Sequence, residues 1–573
     1  MIIDNDERKA NLLNTFFASV FVKEDAGPIP VFDIRYHGTP VTEILVDIET
    51  LTKQLNNLNP SKSMGSDNCH PMFLKETSNI LNGPLQTIFN KSFKEGIVPD
   101  IWKEANITPL YKNKGSKSDT TNYRPVSLTS VPCKLCEKTV RQVIMDHMNA
   151  NNLFSNCQFG FRNKRNCVIQ LLDVLNDWVT NQDNSKQTDV IYLDIKKAFD
   201  TVPHRRLLEK MKSHGFGGQI IDWVKNFLTD RKQRVCVNGK FSEWESVTSG
   251  IPQGSVLGPT LFVIYVNDMP DKLKSVCKLF AGDCKIYSGI TSQSDQQKIQ
   301  EDLDSLCDWS RDWLLEFSVP KCKAMSLGKV KHPFKYSMRD KDGNIQDLPS
   351  VEEEKDLGIT FQSNLKFDRH INLTVNKANK ILGLIKRTFT RLDISTFITL
   401  YKSLVRSILD YGGSVWSPWT KKNIQLVENV QRRATKIVPE LRQLPYRERL
   451  VRLNLPTLHY RRCQYDLIEI FKIINKFEDI GYDQFFQFND NVTRGHIFKI
   501  EKIRCNKSMK LNAFPARSVD AWNGLKEETV CSDTIVSFKS KLDKEWKEKK
   551  FDTGKIYEPG TVKTNSIGGV HKS

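Results

Sequence analysis

The chain has 573 residues, which is too long for one hydrophobic core and predicts about two to four domains or lobes. Hydrophobic residues at 39% and charged residues at 27% exclude a disordered or fibrous protein, and the absence of any long apolar run excludes a membrane-spanning helix. Lys and Arg outnumber Asp and Glu by 85 to 67, and this net charge of +18 favours polyanionic partners such as nucleic acid.

The first hundred residues alternate helix-like patterns with a Pro/Gly/Asp-rich stretch at 25–40. The N-terminal sequence MIIDNDERKA lacks a basic-then-apolar signal segment, so we expect an intracellular protein. A strand is predicted at 101–110, followed by a polar loop and a helix at 132–150.

Thirteen cysteines are scattered along the chain, an odd number that is typical of reduced thiols. Cys133 and Cys136 have the C-x-x-C spacing of a zinc ligand pair, but no second close Cys/His pair follows at a finger-like distance. We therefore favour two half-buried thiols on a helix over a zinc site.

The middle of the chain predicts a mixture of strands and helices. The apolar run at 188–195 is suited to a buried strand that ends in a carboxylate, and helix patterns follow at 204–215 and 220–228. Two hairpins are predicted, turning at Asn238-Gly239 and at Gly282-Asp283.

Beyond about residue 370 the patterns are almost wholly helical. A basic segment at 490–550 ends in a charged helix, and we expect the tail after Phe551 to be disordered. Trp309 and Trp313 lie one helical turn apart, which packing explains better than base stacking.

Two aspartates at strand ends suggest a metal site. Asp194 ends the strand at 188–195, and Asp283 is expected at the tip of the second hairpin. Carboxylates on neighbouring strands are a rigid way to hold the paired Mg²⁺ ions that nucleotidyl transfer needs. Taken alone, however, such a pattern is better explained by solvated hairpin aspartates.

Six ordered motifs accompany these aspartates. They are NYRPVSLTS (122–130), QFGFRNKRN (158–166), YLDIKKAFDTVPH (192–204), SGIPQGSVLGPTLF (249–262), LFAGD (279–283) and FSVPKC (317–322). The series closely resembles the reverse transcriptase of non-LTR retrotransposons, particularly jockey-like elements, and the resemblance covers nearly the whole chain.

The resemblance implies an RNA-directed DNA polymerase with an α/β (α+β) right-hand fold. Fingers, an antiparallel-sheet palm and a helical thumb would be joined by a C-terminal helical and basic extension. The implied divisions are a helical leader at 1–95, fingers at 96–185, palm at 186–365, thumb at 366–485, a C-terminal basic segment at 486–550 and a tail at 551–573.

The resemblance also implies roles for the YLDIKKAFD residues. Asp194 would be the first metal-binding aspartate, and Ile195 would offer its backbone carbonyl to the metal. Phe199 would lie under the sugar and leave no room for a 2′-hydroxyl, although a core Phe at a helix start is the alternative. Asp200 is expected to be structural.

Five further positions carry implied roles in binding the nucleotide. Gln253 and Gly254 would lie beside the incoming nucleotide and template, unless the segment is an ordinary loop. Arg124 and Lys112 would meet the triphosphate. Lys321 would protonate or stabilise the leaving pyrophosphate. For Lys112 and Lys321, solvated lysines are an equally good explanation.

The sequence departs from the family at the second hairpin. The family carries two adjacent aspartates there, the first of them a metal ligand opposite Asp194, whereas this chain has Gly282 followed by Asp283. A shift of one residue moves a carboxylate by about 3.3 Å, while metal–oxygen contacts tolerate about 0.2 Å. We therefore expect a well-folded polymerase that binds the family's two Mg²⁺ ions weakly and has little activity.

The expected partners are an RNA template, a DNA primer or target DNA, and dNTPs, with no membrane. We find no endonuclease residues, so nicking of a target would need a separate endonuclease. The expected location is intracellular, in the nucleus with a cytoplasmic phase.

Basic thumb residues are expected to face nucleic acid or solvent, namely Arg432, Arg433, Arg461 and Arg462. Two other hypotheses stay open. One is a non-catalytic protein that binds RNA or an RNA–DNA hybrid, and the other is a relic of a decayed element.

Overall fold

The N-terminal leader is helical. The computed structural model describes residues 5–24, 27–489 and 495–552, so most of the predicted disordered tail lies outside the described residues. Asn5 caps the first helix by accepting the N–H of Arg8. The leader helices are α1 (Asp6–Ala18), α2 (Ile48–Asn56), α3 (Pro71–Glu76) and α4 (Ser78–Glu95).

The next segment begins with a short helix that leads into a hairpin. Its elements are α5 (Asp100–Lys103), β1 (Glu104–Tyr111), β2 (Tyr123–Leu128), α6 (Val131–Ala150) and α7 (Cys167–Asp183). The strand predicted at 101–110 begins three residues later in the structure, at Glu104, because residues 100–103 form α5. The predicted helix at 132–150 is confirmed.

The central segment contains most of the strands. Its elements are β3 (Gln187–Asp194), α8 (His204–Ser213), α9 (Gly218–Leu228), β4 (Arg231–Val237), β5 (Lys240–Phe241), β6 (Glu245–Val247), α10 (Gly258–Tyr265), β7 (Val276–Phe280), β8 (Asp283–Ile290), α11 (Gln293–Asp312), β9 (Lys323–Leu327), β10 (Ser337–Arg339), β11 (Ile345–Asp347), β12 (Glu353–Asp356) and β13 (Ile359–Gln362). The predicted hairpin turn at Asn238-Gly239 is confirmed, since both residues have a positive φ, as a tight hairpin turn requires.

The remainder is helical, as the pattern beyond residue 370 predicts. Its α-helices are α12 (Asp368–Thr388), α13 (Ile394–Leu400), α14 (Ser407–Asp410), α15 (Gly413–Trp416), α16 (Lys421–Ala434), α17 (Tyr446–Leu453), α18 (Leu458–Ile474), α19 (Ser508–Leu511), α20 (Phe514–Asn523), α21 (Glu527–Val530) and α22 (Ile535–Glu545).

Two larger sheets organise the central region. In the first, β1 pairs with β2 antiparallel and with β4 parallel, and β5 and β6 both pair with β4. The second has the order β7-β8-β3-β9, and every neighbouring pair is antiparallel. This second sheet is the antiparallel palm sheet that the resemblance implies.

The two faces of the palm sheet belong to different hydrophobic cores. Ile191 and Ile286 lie on the face that packs with α6 and α8–α11. Val190, Tyr287 and Met325 are register partners on the opposite face, and they share a second core with α7, β13 and the helices from α12 to α22. The thumb helices are therefore packed directly against the palm.

Three further expectations can be compared with the structure. Cys133 and Cys136 lie on α6, as predicted, but they are fully buried and not half-buried. Burial raises the pKa of both thiols. Trp313 is buried against Phe32, in agreement with a packing role. Within the described ranges, no helix combines the length and apolarity that a membrane span requires.

Candidate active site

Asp194 and Asp283 lie opposite each other in the palm sheet. Asp194 is the last residue of β3 and Asp283 the first of β8, and the two are register partners. Directly opposed residues of antiparallel strands point to the same face, with Cβ atoms about 4.5–5.5 Å apart. Two carboxylates therefore converge at the end of the sheet.

This register corrects two expectations. The hairpin turns at Ala281-Gly282, one residue earlier than predicted, so Asp283 begins a strand and is not at the tip. The position opposite Asp194 is consequently 283, and not 282 as the resemblance suggested. The turn is displaced because Ala281, and not the glycine, takes the left-handed conformation, with φ of 54°.

Position 282 points to another side of the site. A Cβ atom built on Gly282 would lie 3.3 Å from Ala198 Cβ and 3.4 Å from Phe262 Cζ. Phe262 stacks on Phe199, with ring centroids 4.8 Å apart and 22° between the planes. A side chain at 282 would therefore face the aromatic pair that includes the expected sugar-contacting residue.

Charged groups surround the two aspartates. Lys321 Nζ lies 2.9 Å from Asp194 Oδ2, and both side chains are partly exposed. Partial burial, Asp356 and Asp194 raise the pKa of Asp283 above its ordinary value. Asp356 is itself in a buried ion pair with Lys285. These groups line one open cavity of about 410 Å³.

The donor set falls short of what a two-ion site needs. Asp194 and Asp283 supply carboxylates, Gly282 supplies none, and a lysine ammonium already neutralises Asp194. Among the described residues, no group of three or more His, Cys, Asp or Glu side chains is arranged to hold a metal ion. The residues present therefore do not fit a two-ion clamp.

The backbone around Ile195 is firmly held. Ile195 forms an isolated bridge with Phe317, which begins the FSVPKC motif. The Ser318 N–H donates to the Asp194 carbonyl at 2.7 Å, and the Lys196 N–H donates to the Glu316 carbonyl at 2.8 Å. These bonds bring Lys321 next to Asp194.

The PQG loop packs against β2 and against Asp200. Gln253 Nε2 donates to Asp200 Oδ1 at 2.8 Å, and the Ser127 N–H donates to the Gln253 carbonyl at 2.7 Å. Gly254 has φ of 121°, and a Cβ atom there would lie 2.6 Å from the Ser127 carbonyl oxygen. Only glycine permits this approach. Asp200 is buried, so the structural role expected for it agrees with its position.

The fingers hairpin presents two of the expected basic residues. Arg124 on β2 is exposed, and Lys112 Nζ donates to the Thr121 carbonyl at 2.6 Å. Partial burial, Arg124 and Lys321 lower the pKa of Lys112. Lys112 therefore lies near both Arg124 and Lys321.

Lys197 was missed by sequence reasoning. Burial lowers its pKa, as do the neighbouring Lys112 and Lys321, and its Nζ lies 4.3 Å from the centre of the Phe16 ring of α1. It adds a fourth cation to this group. Its position directly after Asp194-Ile195-Lys196 was the available signal.

Glu137 on α6 was missed as well. Its side chain is fully buried, and Oε2 accepts the N–H groups of Val256 and Leu257 at 2.6 and 3.0 Å. These bonds fix the segment between the PQG loop and α10. The partners are more than 100 residues apart in sequence, so no local pattern could have revealed them.

The expectation for the thumb arginines is wrong for two of the four. Arg462 is 4% exposed and stacks on Trp416, and Arg461 is partly buried in an ion pair with Asp410. Arg432 packs over the Tyr446 ring, and Arg433 alone of the four is exposed. Arg432, Arg461 and Arg462 are therefore held by contacts within the helical region.

A different thumb surface carries exposed positive charge. Helix α12 buries one face, which includes Ile371, Val375 and Leu382. Its opposite face is exposed and carries basic and amide side chains beside the exposed Leu373 and Leu384. The basic and amide residues are Arg369, Asn372, Asn376, Lys377, Lys380 and Arg387. This α12 stripe spans about 27 Å at a rise of about 1.5 Å per residue.

Comparison with known proteins agrees with this geometry. Residues 112–361 match the family described as reverse transcriptase (RNA-dependent DNA polymerase). The chain is 27% identical over 412 residues to the probable RNA-directed DNA polymerase from transposon BS of Drosophila melanogaster, covering 69% of this chain and 45% of that protein.

Two polymerases from the mobile element jockey are similar as well. The one from Drosophila melanogaster is 28% identical over 359 residues, covering 61% of this chain and 39% of the relative. The one from Drosophila funebris is 27% identical over 420 residues, covering 70% of this chain and 44% of the relative.

The chain thus spans less than half the length of these curated relatives. The matched family segment contains Asp194, Asp283, the PQG loop and the four cations around them. Residues 112–361 of this chain thus match the reverse transcriptase (RNA-dependent DNA polymerase) family, and they contain the whole candidate site.

Proposed function

We propose that the chain is the RNA-directed DNA polymerase of a non-LTR retrotransposon and that Gly282 impairs its chemical step. The observation that carries this proposal is the register of Asp194 opposite Asp283, with Lys112, Arg124 and Lys321 grouped beside the pair. The substrates would be dNTPs, an RNA template and the 3′ end of a DNA primer or of target DNA.

The geometry supports separate positions for the two reactants. Phe199 and the PQG loop lie on the side of the sheet end that position 282 faces, which suits the incoming nucleotide. The open cavity beside Asp194, Asp283 and Lys321 suits the growing 3′ end. The α12 stripe supplies phosphate-binding charge for the duplex.

The impairment follows from the donor set. Reverse transcriptases generally use divalent metal ions, and Mg²⁺ in proteins is commonly bound by one or two carboxylates with substrate phosphates. Asp194 and Asp283 would still hold a cation, although more weakly than three carboxylates. Losing even an outer-shell partner of a metal typically costs roughly 10–100-fold in affinity or activity. The resemblance makes the family's aspartate at 282 a direct ligand, so its loss should cost at least as much.

Two further parts of the proposal concern the wider context. A separate endonuclease would supply the nicked target, and the protein would act in the nucleus after a cytoplasmic phase. Both rest on the resemblance to non-LTR elements.

Primer extension on an RNA template with Mg²⁺ tests the proposal. The unmodified chain should extend slowly, Gly282→Asp should extend at least about 10-fold faster, and adding Asp194→Ala should abolish extension in both. Equal rates with and without Gly282→Asp would show that the glycine is no defect. Extension that survives Asp194→Ala would refute the assigned site.

A second candidate function is binding of RNA or an RNA–DNA hybrid without extension. The ion pair between Lys321 and Asp194 favours it, because this contact satisfies the aspartate without a metal, while the α12 stripe stays available. Salt-sensitive hybrid binding with no extension, even after Gly282→Asp, would support this function over polymerisation.

A further inference from the structure

Gln158, in the QFGFR motif, binds the turn of the β7–β8 hairpin at Ala281. Gln158 is fully buried, and its Oε1 accepts the backbone N–H groups of both Gly160 and Ala281 at 2.8 Å. Its Nε2 lies 3.5 Å from the Ala281 carbonyl oxygen. One side-chain amide thus spans the gap between the two segments.

The backbone of the same segment runs along the hairpin. The Phe159 N–H donates to the Leu279 carbonyl, and the Leu279 N–H donates to the Cys157 carbonyl, both at 2.8 Å. Gln158 and Leu279 form a parallel bridge. Residues 157–160 therefore act as a short extra strand on the outer edge of β7, ending beside the turn.

Gly160 shows how close this approach is. A Cβ atom at Gly160 would clash with the backbone nitrogen of Ala281 and lie 3.0 Å from the Phe280 carbonyl carbon. Its φ lies outside the left-handed region, so proximity to the hairpin is the reason for the glycine. Two neighbouring motif residues thus converge on the backbone of Ala281.

Ala281 needs such support. Its φ of 54° places it in the left-handed conformation, which residues with a Cβ atom adopt at a cost. This conformation sets the direction of position 282 and the start of β8 at Asp283. A relaxed Ala281 would rotate both away from Asp194.

We propose that Gln158 is a positioning residue that fixes the Ala281 turn so that positions 282 and 283 face the reacting groups. The Arg165 guanidinium braces it, since it donates to the Gln158 carbonyl at 3.2 Å and to Asp479 Oδ2 at 2.8 Å. The catalytic part of this inference rests on the proposed polymerase function.

Gln158→Met tests the inference because it removes both acceptor bonds while keeping the length of a buried side chain. Gln158→Glu keeps an acceptor oxygen. Gln431→Met is the matched control, since Gln431 of α16 is another fully buried glutamine whose amide is hydrogen-bonded, in its case to Tyr446 and the Pro456 carbonyl of the helical region.

The first measurement is amide hydrogen exchange of the peptide covering residues 279–284 in the full chain, which needs no activity. Gln158→Met should speed exchange there, whereas Gln431→Met should not. Unchanged exchange in Gln158→Met would overturn the proposal at the level of structure.

The second measurement is primer extension in the Gly282→Asp background. Gln158→Met should lower kcat roughly 10–100-fold with KM for dNTP and duplex Kd unchanged, and Gln158→Glu should recover most of the loss. Faster exchange with unchanged kcat would refute a role in positioning. A Gly282→Asp chain that extends no primer would contradict the proposed function and the catalytic part of this inference, while the exchange result would still decide whether Gln158 holds the turn.

Discussion

Gly282→Asp should make the stability of the chain depend on a divalent cation. The backbone at 282 is outside the left-handed region, and the added Cβ atom would contact Ala198 at 3.3 Å, so the side chain fits after a shift of a few tenths of an ångström. The new carboxylate would stand at the end of the palm sheet, one residue before Asp283, which is the register partner of Asp194.

The expected size follows from the repulsion among these three charges. At a separation of about 5 Å, each pair of carboxylates costs roughly 1 kcal/mol in water-like surroundings and roughly 3 kcal/mol at an effective dielectric constant of about 20. Lys321 already neutralises Asp194, so the repulsion that remains is mainly the pair with Asp283, and without divalent cations the Gly282→Asp chain should be roughly 1–3 kcal/mol less stable than the unmodified chain. A cation present at about 100 times its Kd would restore about 2.7 kcal/mol.

Urea unfolding in a chelator and in millimolar Mg²⁺ measures this difference. Gly83→Asp is the matched control, because it adds a carboxylate on α4 where a Cβ atom meets nothing within 4 Å. Its stability should not respond to Mg²⁺. If Gly282→Asp gains no more from Mg²⁺ than the unmodified chain does, position 282 is not a ligand position and our account of the defect fails.

Three other predictions follow from the site and the thumb. Glu137→Leu leaves the Val256 and Leu257 N–H groups before α10 without an acceptor, so it should lower the free energy of unfolding by roughly 2–5 kcal/mol. Glu137→Gln keeps an acceptor oxygen and should cost far less. Equal losses for the two variants in urea titrations would contradict this role. Because the pKa of Asp283 is raised in the folded state, its ionisation costs stability as pH rises from the ordinary value of 3.8 through the folded value. Asp283→Asn should therefore raise Tm at neutral pH. This gain in Tm should vanish below pH 3.8, where the carboxyl is protonated in both states. Lys377 is exposed on the α12 stripe, so Lys377→Ala should reduce the slope of log K against log salt for hybrid binding by about 1 and leave Tm unchanged. Arg462 is buried, so Arg462→Ala should lower Tm and leave that slope unchanged. The reverse pattern would place the binding surface elsewhere.

Local patterns predicted the elements that local forces determine. The apolar run that ends at Asp194 forms β3, and Asn238-Gly239 forms a tight turn because both residues tolerate a positive φ. The same rule, that a glycine takes the positive φ of a tight turn, put the predicted turn of the second hairpin one residue too late. A glycine was expected to take the strained position, but long-range contacts from Gln158 and Gly160 hold Ala281 there.

The candidate site could be predicted only as far as its motifs reach. Lys321 is far in sequence from Lys112 and Arg124 of the fingers hairpin, and the resemblance brought them together where composition could not. Arg461 and Arg462 were misjudged because a basic helix pattern does not show that Asp410 and Trp416 pack against it. Partners of buried polar groups are set by the tertiary fold, so sequence periodicity does not reveal them.

Under the proposed function, the core shared by the palm and the thumb would restrict how the chain can admit a duplex. Trp178 of α7 packs edge-on against Phe361 of β13, and both belong to the core that continues into the helices beyond residue 368. Swinging those helices outward would bring buried aromatic rings into water. If the chain binds a duplex as proposed, the helices beyond residue 368 would keep their place against the palm, and the duplex would have to enter without their opening.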